Sequence, residues 1–92
     1  MNRLQLIAAP AARNGALLLR ADASVYSGVL DAGASVELPL APGRAAWVQV
    51  ARGAVTVNGA QASAGDGVAL EGEADVRVAA KEASEILVFD LA

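Results

Sequence analysis

Along most of this chain, large apolar residues alternate with polar or small ones. Val48 and Val50 alternate with Trp47, Gln49 and Ala51; Val55 and Val57 flank Thr56; Val76 and Val78 flank Arg77. Each triplet has the two-residue period of a half-buried β-strand, whose successive side chains point to opposite faces. Turn signals separate these runs: Asn14-Gly15, Asp31-Ala32-Gly33, Pro42-Gly43, Arg52-Gly53, Asn58-Gly59, Gly65-Asp66-Gly67 and Glu71-Gly72. Glycine in such turns supplies the positive φ that other side chains resist. The signals recur about every 8–12 residues, the spacing of an all-β sandwich or barrel. Alanine is the commonest residue and favours helix, but the alternation argues against it. The pattern predicts strands over residues 3–8, 16–21, 25–30, 35–40, 45–51, 54–58, 67–70, 74–80 and 84–91, and a hairpin joining 45–51 to 54–58 through Arg52-Gly53.

Two predicted strands break the alternation. Leu17-Leu18-Leu19 and Ile86-Leu87-Val88-Phe89 are apolar on both faces. One face fills a core and the other calls for a cover, either a further layer of the same chain or a second subunit or domain.

At 92 residues the chain is long enough for a single core. Hydrophobic residues make up 55% of it and aromatics only 3%, so the core is expected to consist of Val, Leu, Ile and Ala, with Trp47, Tyr26 and Phe89 as its bulky rings. Ten acids against seven bases give a formal charge of -3, and no basic run is present to neutralise phosphates. Nucleic acid is therefore not an expected partner. No apolar stretch reaches the roughly 18 residues of a membrane span, and the amino end does not read as a signal peptide, so neither membrane nor export is expected and the expected location is cytoplasmic. With no cysteine, disulfides and thiolate metal sites do not form.

Several longer stretches resemble one family. Leu4-Gln5-Leu6-Ile7-Ala8-Ala9-Pro10 with Arg13-Asn14-Gly15, Asp22-Ala23-Ser24-Val25-Tyr26, Trp47-Val48-Gln49-Val50 with Gly53, Val55-Thr56-Val57-Asn58-Gly59, Ala64-Gly65-Asp66-Gly67 and Leu87-Val88-Phe89-Asp90-Leu91 resemble the C-terminal cupin domain of bacterial pirin-family, quercetin 2,3-dioxygenase-like proteins. The resemblance implies an all-β fold, a single small cupin-type (jelly-roll) β-barrel over residues 1–92, matching the C-terminal half of a two-barrel protein. In that family the N-terminal barrel is implied to hold one metal through three His and a Glu and to carry any oxygenation of a flavonol. The C-terminal barrel is implied to be metal-free. Placed on this chain, the general cupin ligand positions fall near Leu40 and Pro42 for the His pair, at Ala46 for the glutamate, and around residues 74–76 for the last His. Hydrocarbon side chains offer no lone pair to a divalent metal, so no cofactor is expected.

Other candidate chemistry weighs against simpler readings. Glu71, Glu73 and Asp75 share a face if that segment is extended, an arrangement for Ca²⁺ or an acid–base pair, or else a solvated strand entrance. Glu82 and Glu85 read as charged surface. Tyr26, Arg44 and Trp47 are the candidate ligand-binding residues, a phenol, a guanidinium and an indole suited to an aromatic or carboxylate molecule. Their structural readings are Tyr26 as a core ring, Trp47 as a rim residue whose N–H reaches a backbone carbonyl, and Arg44 paired with Glu37 or Asp31. Asp66 reads as a turn former bonding nearby backbone N–H groups. Without histidine, the serines lack their usual activating base. The leading expectation is a non-catalytic module that packs against a separate catalytic cupin or forms a homodimer. A small-molecule-binding barrel is the alternative, and oxygenase activity is expected only with a catalytic N-terminal cupin.

Overall fold

A computed structural model describes residues 2–9, 17–18 and 23–91. Among the described residues, ten strands run in chain order: β1 Leu4–Ala9, β2 Leu17–Leu18, β3 Ala23–Leu30, β4 Ser35–Pro39, β5 Ala45–Arg52, β6 Ala54–Val57, β7 Ala60–Ser63, β8 Gly67–Glu71, β9 Asp75–Ala80 and β10 Ser84–Leu91. Among the described residues there is no helix, and hence none long and apolar enough to cross a membrane. The strands form a six-stranded sheet in the order β2-β1-β3-β10-β5-β8 and a four-stranded sheet in the order β4-β9-β6-β7. All pairings are antiparallel except β1 with β2. The sheets pack face to face as a jelly-roll sandwich.

Alternation decides which side chains meet between the sheets. Val48 and Val50 of β5 and Ile86 and Val88 of β10 face Val55 and Val57 of β6 and Val76 and Val78 of β9, all fully buried. Leu30, Leu40, Ala46, Ala62, Leu70 and Ala80 complete this aliphatic interior. Contrary to expectation, two of the three rings do not belong to it. Tyr26 packs partly against the core, whereas Trp47 is 38% exposed and Phe89 half-buried. Branched aliphatics fill the roughly 10 Å between two sheets, and the period of two turns Trp47 and Phe89 outward beside the buried Val48 and Val88.

The predicted hairpin through Arg52-Gly53 is not a hairpin. β5 pairs with β10 and β8, whereas β6 pairs with β7 and β9, so the chain crosses from one sheet to the other at Gly53. Val50 and Val55 consequently face each other across the sandwich instead of lying side by side on one ladder. Gly53 has φ +88°, and a Cβ there would collide with the Ser84 side chain and the Ala83 carbonyl. Buried Ser84 holds the same corner: its Oγ accepts from the Ala54 N–H at 3.2 Å and donates to the Glu82 carbonyl at 2.7 Å.

β7, not foreseen from the sequence, pairs with β6 across Asn58-Gly59, the true two-residue hairpin of this region. Asn58, at φ +48°, ties that turn to β9. Its Oδ1 accepts from the Arg77 N–H at 2.7 Å, and its Nδ2 donates to the Asp75 carbonyl and to Glu73 Oε1, each at 2.9 Å.

Gly53→Ala is expected to cost roughly 2–4 kcal/mol, combining left-handed backbone strain with overpacking against Ser84. Gly43→Ala, at a similar φ but with nothing near the added methyl, should cost only about 1 kcal/mol. Each kcal/mol corresponds to about 4–8 °C in a domain of this size, so paired thermal melts followed by circular dichroism resolve the difference.

Candidate functional site

Two places collect the residues that the sequence singled out: the Arg44 end of the sandwich and the outer face of the six-stranded sheet.

At the Arg44 end, an open depression of about 560 Å³ is lined by Leu40, Pro42, Arg44 and Ala45 on one side and Glu71, Glu73 and Ala74 on the other. The Leu40 N–H donates to the Ala74 carbonyl at 2.9 Å, closing the chain across this end. Of the positions on which the cupin ligands were placed, Leu40 and Pro42 line this depression. Ala46 on the six-stranded sheet and Val76 on the four-stranded sheet are buried in the shared interior, and Leu40 is buried beside the depression. Their side chains are hydrocarbon. Among the described residues, no three His, Cys, Asp or Glu side chains converge in a way that would hold a metal ion. The donor set therefore does not fit a cupin metal centre.

Arg44 pairs with neither Glu37 nor Asp31. Its Nε donates to Asp90 Oδ1, and its Nη2 to the Asp90 carbonyl at 3.2 Å, with side-chain exposures of 21% and 17%. Register explains the choice: Ala45 lies opposite Leu91 and Ala46 opposite Asp90, so the residue before β5 sits against the end of β10. Asp31 instead binds Asn2, its N–H donating to Asn2 Oδ1 at 2.7 Å and its Oδ2 accepting from Asn2 Nδ2 at 3.0 Å.

The acidic trio does not share a face. Glu71 ends β8 in one sheet and Asp75 begins β9 in the other, with a turn through Gly72 between them. Asp75 pairs with Arg77, and Glu73 accepts from Asn58. Glu85 pairs with Arg52 at 2.9 Å. Asp66 forms its turn as expected, with Oδ2 accepting from the Ser63 N–H at 2.9 Å.

Tyr26 and Trp47 lie on opposite faces of the six-stranded sheet. Tyr26 lies in the cross-strand row of buried Val88 and Val48, facing inward; Trp47 is one residue out of step and faces outward. Of Tyr26, Arg44 and Trp47, only Arg44 borders the depression. The Trp47 N–H reaches not a backbone carbonyl but Gln49 Oε1 at 3.2 Å, and Gln49 Nε2 donates onward to the Asp66 carbonyl at 3.1 Å. The indole lies over Gly67 so closely that a Cβ there would overlap the ring. That contact was visible in the sequence only as a turn glycine.

On the outer face, Val25, Phe89, Trp47 and Ala69 are directly opposite one another on β3, β10, β5 and β8, giving an apolar row across four strands. Leu87 and Leu91 flank it on β10, and Val29 on β3 is 44% exposed. The two-faced character expected of residues 86–89 is thus present: Ile86 and Val88 inward, Leu87 and Phe89 outward. The same expectation for Leu17-Leu18-Leu19 concerns side chains outside the described residues.

Comparison with known proteins places this arrangement. The family model of the quercetinase C-terminal cupin domain matches residues 6–91. The chain belongs to this family. It is 38% identical to the Escherichia coli protein named quercetin 2,3-dioxygenase over 87 residues, 95% of this chain and 38% of that protein. It is 35% identical to a pirin-like protein of Caulobacter vibrioides over 77 residues, covering 84% and 33% of the two. The crystal structure of YhhW from Escherichia coli superposes with a TM-score of 0.96 at 36% identity, covering 100% of this chain and 39% of that one. A structure of the bacterial pirin YhhW in complex with nickel(II) gives 0.93 at 38% identity, covering 96% and 38%. This quercetinase-type cupin domain therefore spans 33–38% of the length of the curated relatives it matches.

Gly67→Ala tests the seat of the indole. The added methyl should lift Trp47 off β8 and raise acrylamide quenching of its fluorescence, with a stability loss of about 1–2 kcal/mol. Unchanged quenching would show that the ring does not rest on this glycine.

Proposed function

We propose that this domain is a non-catalytic, metal-free cupin module that acts by packing against a partner cupin or a second copy of itself. The observation that supports it is the hydrocarbon filling of the cupin ligand positions. Leu40, Ala46 and Val76 supply no lone pairs, and Arg44 and Asp90 at the same end of the sandwich are engaged with each other. Activating oxygen requires a redox metal held with an open position, and these side chains build no such sphere. On this reading, any dioxygenase chemistry of the longer relatives belongs to the part of them that this chain does not match.

The apolar outer row is the second support. A central strand with both faces apolar is a feature of covered sheets, and the Trp47–Phe89 face supplies the contact surface the proposal needs.

Purified protein loaded with Fe(II) or Ni(II) and then desalted should retain well under one equivalent of metal by elemental analysis, and should show no oxygen uptake with quercetin. Stoichiometric retention together with turnover would overturn the proposal.

A further inference from the structure

Two described residues other than glycine have positive φ, Asn2 and Asn58, and of these only Asn58 is followed by glycine. Asparagine is thermally labile, most of all before glycine, where the neighbouring backbone nitrogen is unhindered. That nitrogen attacks the asparagine Cγ: a Cγ–N bond forms, the Cγ–Nδ2 bond breaks, and the side-chain nitrogen leaves as ammonia, taking up the proton that the glycine amide loses. Water then opens the five-membered imide at either carbonyl, giving aspartate or isoaspartate. Water is the only co-reactant. Gly59 leaves the approach open, since it is exposed and no atom beyond its chain neighbours lies within 4 Å of where a Cβ would stand.

The side chain of Asn58 opposes the reaction. Its Oδ1 accepts from the Arg77 N–H at 2.7 Å, and its Nδ2 donates to the Asp75 carbonyl and to Glu73 Oε1, each at 2.9 Å. Both polar atoms of the carboxamide are thus anchored to β9 and the turn before it. Closing the imide ring swings Cγ onto the Gly59 nitrogen, and a side chain held at both Oδ1 and Nδ2 makes that swing only after releasing its partners. We propose that Asn58–Gly59 is a site of spontaneous imide formation and hydrolysis, that this three-bond latch sets its rate, and that the latch does not re-form once the reaction has run. A carboxylate only accepts hydrogen bonds. In the aspartate product one oxygen still accepts from the Arg77 N–H, but the other stands where Nδ2 now donates, against the Asp75 carbonyl and the Glu73 carboxylate. Isoaspartate adds a methylene to the main chain of a two-residue turn built on positive φ at both positions. Either product loosens the β6–β7 hairpin from β9 and leaves Glu73, which lines the depression at the Arg44 end, without its Asn58 donor.

Trypsin releases residues 53–77 as one peptide in which Asn58 is the sole asparagine, so mass spectrometry follows the conversion at this site alone. In mildly alkaline buffer, the folded full chain should convert at least ~10-fold more slowly than the same chain in concentrated urea, because three hydrogen bonds must open first. Glu73→Ala, which removes one exposed partner of the latch, should raise the folded rate about 2–5-fold and leave the rate in urea unchanged. Asn58→Asp should melt below the unaltered chain, and Glu73→Gln, which restores a donor opposite the new carboxylate, should narrow that gap. Equal rates in the folded and unfolded chain, a folded rate indifferent to Glu73→Ala, or Asn58→Asp melting together with the unaltered chain would overturn the proposal. The comparison of folded with unfolded rates uses the unaltered chain, so it decides the matter even if Asn58→Asp does not fold.

Discussion

Eight branched side chains, Val48, Val50, Val55, Val57, Val76, Val78, Ile86 and Val88, meet between the sheets with no more than 2% of their surface exposed. Full burial of each is worth roughly 1.5–3 kcal/mol relative to exposure. Because strand side chains alternate, fixing these residues inward also fixes their neighbours outward. Trp47 and Phe89 reach the surface as a geometric consequence of where Val48 and Val88 must go. The outer apolar row and the sealed interior are therefore two results of a single register.

The same constraint governs the Arg44 end of the interior. Leu40, Ala46 and Val76 belong to one continuous hydrophobic cluster with the valines. A carboxylate or imidazole at those positions, without a metal to satisfy it, would carry the cost of burying an unpaired polar group. Hydrocarbon there extends the interior to the edge of the Arg44 depression, where the guanidinium and Asp90 neutralise each other at the boundary.

Much of this was legible from the chain. Valine alternation located the central strands, the glycine turns separated them, and the run at residues 86–89 was read correctly as apolar on both faces. β7 escaped because Ala60-Gln61-Ala62-Ser63 carries no large apolar residue; only Ala62 is buried, and alanine is a weak strand signal. The Arg52-Gly53 corner was misread because a two-residue gap between alternating runs looks the same whether the chain turns back on its ladder or crosses to another sheet. Only the collision awaiting a Cβ at Gly53 separates the two cases. The Arg44–Asp90 pair spans 46 positions of sequence, and local pattern carries no information about such a partner. Tyr26 and Trp47 were grouped by chemistry alone, and the pleat sets them on opposite sides of one sheet.

The position of β10 bears on how the molecule is assembled. It follows every other strand in sequence yet lies in the middle of the larger sheet, bonded to β3 on one side and β5 on the other. Until it inserts, β1 and β3 have no hydrogen-bonded link to β5 and β8, and the unfinished sheet presents two raw internal edges. During synthesis the growing chain must therefore carry those edges unpaired, vulnerable to aggregation, until β10 arrives. Such distant pairings also place this topology among slow folders.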